Sequence, residues 1–140
     1  MRPLFLFVLI LWSVSVFVHA TESQTPDVHV FPAELDRVVD GDTVDVRLTM
    51  PLGLEWNLRL RILDIDTPET WRPETKAEEI HGKAATALAQ ELLGTKPFWV
   101  RVVDWGAYNR AEADIILHDL RDYVTVMKQS GFEKKDHYEE

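Results

Sequence analysis

The sequence predicts a mainly β domain with helices: a small closed barrel of five strands against which about two helices pack. Three observations predict it. Alternating apolar and polar residues recur in short stretches, most clearly Val44-Asp45-Val46-Arg47-Leu48 and Leu58-Arg59-Leu60-Arg61-Ile62, as a strand with one buried face requires. Turn-forming residues separate these stretches at short intervals. The period then lengthens to that of a helix in two places, after the third strand and after the fifth. A barrel closes so few strands without leaving exposed edges.

The first strand is predicted over Val28 to Val39, where Pro32 marks an edge or a bulge. Asp40-Gly41-Asp42-Thr43 turns the chain into the alternating second strand, and Met50 to Trp56, with Pro51 and Gly53, turns it into the third. Thr75 and Glu78 have the spacing of a capping box, and Ala77, Ile80, Ala84, Leu88 and Leu92 recur at helical intervals up to Gly94. Gly82 inside that pattern predicts that the regular helix begins only near Ile80. Phe98 to Val103 reads as the fourth strand. Ala113 to Leu117 reads as the fifth, reached through a loop from Asp104 to Asn109. Asp122 can cap a short helix from Tyr123 to Ser130, closed by Gly131, with a frayed charged tail from Glu133 to Glu140.

The chain of 140 residues suits one domain with a modest core, predicted over residues 21–140. Residues 1–20 stand apart as a secretory signal: Arg2 precedes an almost wholly apolar run from Leu4 to Val18, and Val18-His19-Ala20 offers a cleavage site. A membrane anchor is the alternative, but the run is shorter than the roughly 20 residues a spanning helix needs. The expected protein is therefore secreted or periplasmic, free of the membrane after cleavage, and a monomer. It contains no cysteine, so its core must suffice without disulfides. Without the signal, 14 basic residues face 24 acidic ones, 14 − 24 = −10. Such a charge argues against non-specific nucleic-acid binding by the surface as a whole.

The stretch from Leu58 to Thr70 points the other way. A strand carrying Arg59 and Arg61 runs directly into a turn with Asp64, Asp66 and Glu69 around Thr67-Pro68. A planar guanidinium fork suits phosphate, and clustered carboxylate oxygens suit a hard divalent cation. By strict alternation Arg61 and Asp66 face opposite sides, so a break in the strand is predicted near Leu63 to Ile65. Taken singly, each motif has a plainer reading. Asp40-Gly41-Asp42 is by itself more often a hairpin turn than a metal site, and Arg61 alone would be a solvated strand residue. Asp40, Asp45 and Asp64 either add to the negative field or are merely exposed. The five histidines are scattered and read as surface or tail residues.

Together, Val38-Val39-Asp40-Gly41-Asp42-Thr43-Val44, then Arg61 ahead of Asp66-Thr67-Pro68-Glu69-Thr70, then Tyr108-Asn109-Arg110, closely resemble the staphylococcal (micrococcal) nuclease family, the thermonucleases. The resemblance runs from about Ala33 to Gly131. It implies an oligonucleotide-binding (OB-fold) barrel whose mouth holds Ca2+ and a phosphodiester of DNA or RNA. Asp42 and Asp66 would ligate the metal through carboxylates and Thr67 through its carbonyl. Glu69 would be the general base on water, Arg61 and Arg110 the phosphate-binding arginines, and Tyr108 a neighbour of the bound nucleotide. The implied activity is hydrolysis with little sequence preference, leaving 3′-phosphates. The alternatives are a non-catalytic barrel that binds nucleic acid or nucleotides, and an exported calcium-binding protein with a protein partner. Asn109 stands where the family usually has glycine, which requires it to accept a left-handed backbone. A third, C-terminal helix found in some relatives is expected to be absent or reduced.

Overall fold

The computed structural model describes residues 29–138. The signal expected at residues 1–20 and the lead-in from Thr21 to Asp27 lie outside them. The described chain runs β1 (His29–Asp40), β2 (Thr43–Thr49), a 3-10 turn (Pro51–Gly53), β3 (Glu55–Ile62), α1 (Lys76–Leu93), β4 (Phe98–Trp105), β5 (Arg110–Ile116) and α2 (Tyr123–Gln129).

The five strands close into a barrel in the order β1-β2-β3-β5-β4, with β3 and β5 parallel and all other neighbours antiparallel. Alternation sets which side chains fill it. Val44, Val46 and Leu48 of β2, Leu58, Leu60 and Ile62 of β3, Phe98, Val100 and Val102 of β4, and Ala111, Ala113 and Ile115 of β5 all point inward and are buried. Each large apolar side chain so buried contributes about 1.5–3 kcal/mol relative to leaving it in water. The residues between them, including Asp45, Arg59, Arg61, Arg110 and Glu112, face outward. That is how one small barrel carries an apolar interior and a charged wall.

Pro32 pairs with Trp99 on the β4 side, and pairing with β2 begins only at Ala33, so the proline lies where one side of β1 is unpaired. Two register shifts between β1 and β2 follow it. β5 begins at Arg110, three residues before its predicted start, because parallel pairing of Arg59 to Arg110 draws the end of the loop into the sheet. β4 likewise extends to Trp105.

The helices close the barrel. Thr75 accepts a hydrogen bond from Glu78 N (3.1 Å), and α1 begins at Lys76, well before Ile80. Gly82 does not delay the helix; it lets the helix approach the preceding turn. A Cβ there would lie 2.7 Å from the Pro68 carbonyl oxygen and 2.8 Å from that of Glu69. Ala85, Ala89 and Leu93 face the core from α1, and Tyr123 and Met127 from α2. Among the described residues no helix is long and apolar enough to cross a membrane.

Over its described length the tail lies against α1 without forming a regular element. His81 of α1 hydrogen-bonds the Gly131 carbonyl through Nε2 and the Tyr138 hydroxyl through Nδ1, both at 2.8 Å. A histidine that composition left on the surface therefore ties the last segment to the helix.

Candidate active site

The β1–β2 hairpin brings Asp42 under the turn that follows β3. Asp42 is only 4% exposed. Its Oδ2 accepts from Thr67 N (2.7 Å) and the Thr67 hydroxyl (3.1 Å), and its Oδ1 accepts from the Thr43 hydroxyl (2.9 Å). Arg61 Nη1 pairs with the same Oδ1. A Cβ on Gly41 would stand 2.8 Å from Thr67 Cγ2, so the close seat of Thr67 on the hairpin needs glycine there. Tyr123 of α2 fixes the hairpin from below, its buried hydroxyl donating to the Gly41 carbonyl (2.6 Å).

β3 ends at Ile62, and Asp64 takes a left-handed backbone (φ 59°). This is the predicted break. It turns the chain so that Arg61 Nη2 meets Asp66 Oδ1 at 3.1 Å. Arg61 thus bridges the buried Asp42 and the exposed Asp66. Burial opposes its charge, but the bonds to Asp42 and Asp66 outweigh burial and hold its pKa above the ordinary value.

Glu69 ends the turn with an exposed side chain. Its carboxyl is nevertheless pushed above the usual range, first by partial desolvation and then by the field of Asp40; Lys134 opposes this, and Asp42 and Asp66 add smaller contributions. Its backbone is held from α1. Glu78, 1% exposed, accepts from Glu74 N (2.8 Å) and Glu69 N (3.4 Å), and pairs with Lys134 Nζ (3.0 Å). Lys134 N in turn donates to the Asp66 carbonyl (2.7 Å). Asp40 anchors the far end, accepting from Thr70 N (3.3 Å) and from the Thr70 hydroxyl. Asp40, Glu78 and Lys134 are thus structural partners of the site that sequence reasoning did not assign. Thr75 and Glu78 signalled only a helix start, and Lys134 carried no local signal.

Arg110 opens β5. With Arg61 it lines a groove of about 270 Å³ whose other walls are Asp104, Gly106, Ala107, Ala111 and Glu112. A larger hollow of about 840 Å³ lies between Asp66, Glu78 and the segment after α2, but neither arginine borders it. The two arginines therefore meet only in the smaller groove. Tyr108 and Asn109 are both left-handed (φ 59° and 54°), so Asn109 takes the conformation expected of it and Tyr108 shares it. Tyr108, 97% exposed, borders a different hollow that adjoins the first at Arg110.

The structure thus brings Asp42, Asp66, Thr67 and Arg61 into direct contact, places Glu69 within their field, and joins Arg110 to Arg61 across a groove. Tyr108 stands apart from the turn. All side-chain donors in the turn are oxygens, which fits a hard dication in kind. Among the described residues no three His, Cys, Asp or Glu side chains gather as a metal cluster. Arg61 stands between the two carboxylates as their counter-charge.

A family model described as staphylococcal nuclease homologue matches residues 59–139, from β3 to the segment after α2. The chain belongs to this family. None of the curated proteins matches it. For a staphylococcal nuclease homologue, the closed five-stranded barrel and two helices are the oligonucleotide-binding fold, and membership makes it a nuclease-like protein of a nucleic-acid-binding family. Asp42 precedes the matched stretch but enters it through Thr67 and Arg61.

Proposed function

We propose that this staphylococcal nuclease homologue is an exported, calcium-dependent nuclease that hydrolyses phosphodiester bonds of DNA and RNA with little sequence preference. The observation that carries the proposal is Arg61, which both pairs with Asp42 and Asp66 and shares a groove with Arg110. A phosphodiester seated there would meet two guanidinium forks, which offset the charge that in-line attack builds on the non-bridging oxygens.

Asp42, Asp66 and the Thr67 carbonyl are the groups that would hold calcium, which when bound supplies further positive charge against that same build-up. Arg61 shares its fork with these two carboxylates, so it is free for phosphate only when they have another counter-charge. Glu69 would take the proton from water. Its backbone amide is fixed by Glu78, which holds it at the end of the turn beside Asp42 and Asp66.

Cleavage of single-stranded DNA and of RNA by the purified mature protein, with calcium or with excess calcium-selective chelator, tests this reading. Activity that requires calcium and that zinc does not restore supports it. Undiminished cleavage in chelator contradicts the metal assignment. No cleavage in calcium, together with retained binding, leaves a non-catalytic nucleic-acid-binding barrel.

A further inference from the structure

The outer wall of the barrel carries a second row of charges beside the reacting groove. Arg37 is the register partner of Asp45, Asp45 of Arg59, and Arg59 of Arg110, so the four lie in one line across β1, β2, β3 and β5. Three arginines against one aspartate leave the row net positive. The next row toward the acidic turn, Asp40, Thr43, Arg61, Glu112 and Asp104, is net negative. A positive strip on a chain of formal charge −9 marks where an anion is best received.

Asp45 orients two of the guanidinium groups. Arg59 donates to it through Nε (2.6 Å) and Nη2 (3.0 Å), and Arg37 through Nε (3.2 Å) and Nη2 (2.8 Å). Each guanidinium keeps Nη1 for another acceptor. The hydrogen bond from Arg59 is the main reason the Asp45 carboxyl lies below its usual pKa range, so the clamp stays ionised.

The same residues line a hollow of about 530 Å³ together with Tyr108, Asn109, Arg110 and Asp36, whose carboxylate is met by Arg47 (3.8 Å). Tyr108 presents its ring at this hollow from a left-handed backbone and covers no core. Arg110 borders both this hollow and the groove it shares with Arg61, so the two adjoin at Arg110. Arg59 and Arg61 lie two residues apart on one strand face, about 6.6 Å at the usual rise, comparable to the step between successive phosphates of an extended strand.

We propose that Arg37 and Arg59, clamped by Asp45 and flanked by Tyr108, form a second nucleotide subsite. It takes the phosphate and base that adjoin the phosphodiester gripped by Arg61 and Arg110. The substrate is then an unpaired strand several nucleotides long, because only an unpaired base can lay its face on Tyr108. The position of the scissile phosphate rests on the nuclease reading; the binding of the adjoining nucleotide does not.

The test reads binding without turnover, in protein carrying Glu69→Gln. Fluorescein-labelled oligothymidylates of two, four and eight nucleotides are titrated by anisotropy, with calcium and with chelator, over a series of salt concentrations. Affinity should rise about tenfold or more with length, as further phosphates are neutralised and further bases stack. Adding Arg37→Gln and Arg59→Gln together should remove most of that gain and make the slope of log K against log salt shallower by about 0.7 for each phosphate no longer neutralised. Arg37→Gln alone, an exposed side chain, should give part of both effects and keeps the test decisive if the double change prevents folding. Parental length dependence and salt slope in these variants would overturn the proposal, as would failure of the parental protein to bind any oligothymidylate. Length-dependent binding by a protein that never cuts in calcium would contradict the nuclease reading and leave the subsite standing.

Discussion

The turn from Leu63 to Thr70 meets Arg61 through Asp66, and the loop that carries Tyr108 lines Arg61's groove through Gly106 and Ala107, but the two are held in different ways. The turn is fixed by Asp42 and Asp40 of the first hairpin, by Glu78 of α1 and by Lys134 after α2. The loop is closed by two backbone bonds, Arg59 N to the Asn109 carbonyl and Gly106 N to the Arg110 carbonyl, both 2.8 Å. Its tip is exposed and left-handed. Groups that must hold one geometry at a reacting phosphate gain from a support whose every member is fixed by another. A group that must meet any base gains from a support that can adjust. If so, damage to the turn should cost stability and activity together, and damage to the loop should cost binding alone.

The largest effect should come from Asp42→Ala. From sequence this is a metal-affinity variant; in the structure it also strands the Thr67 amide and leaves Arg61 half-paired. It should lower stability by about 3 kcal/mol in urea unfolding, besides abolishing activity. An unchanged midpoint would show that the turn does not depend on Asp42. Gly82→Val should cost about 2 kcal/mol, because its side chain would have to displace two backbone carbonyls of the turn.

Glu78→Gln should cost about 1.5 kcal/mol through weakened charge-assisted bonds. The Glu78 carboxyl is held below its usual range, first by the Glu74 amide and then by Lys134, with burial opposing. A carboxylate whose folded pKa is lowered stabilises the fold fully above its ordinary pKa of about 4.3, and that stability is lost as pH falls through the lower folded value. Stability measured across that acid range should therefore fall less steeply in Glu78→Gln than in the parental protein. The smallest effect on stability, within about 0.5 kcal/mol, belongs to Tyr108→Ala. It should nonetheless weaken single-strand binding by about 1–3 kcal/mol, the usual worth of one stacked base. A large loss of stability there would erase the contrast between turn and loop.

Much of the fold was legible because it rests on local signals. Alternation marked β2 and β3, the capping box marked α1, and Asp122 marked α2. Alternation even forecast its own failure after Ile62, since Arg61 and Asp66 can meet only across a break. Gly82 misled because propensity weighs a glycine within its own helix, whereas its reason lies in the Pro68 and Glu69 carbonyls. Arg110 and Trp105 extended their strands because pairing partners, invisible to a local window, favour extension. Lys134 and Glu78 were missed for a similar reason. Lys134 lies 68 residues beyond Asp66 in sequence, and only the closed barrel and α2 bring it back.

The central claim, that the pinned turn presents Glu69 as the base for a phosphodiester held by Arg61 and Arg110, is tested most directly by Glu69→Gln. The change keeps size and hydrogen bonding and removes the base. The rate of cleavage of a single-stranded oligonucleotide, at saturating protein and calcium, should fall by roughly 10² to 10⁴ with binding largely kept. The parental rate should also decline as pH falls and Glu69 takes up a proton, because only its deprotonated form is a base, and the residual rate of the variant should lack that decline. Cleavage by Glu69→Gln at the parental rate, with the same pH dependence, would contradict the account and assign the chemistry to another group.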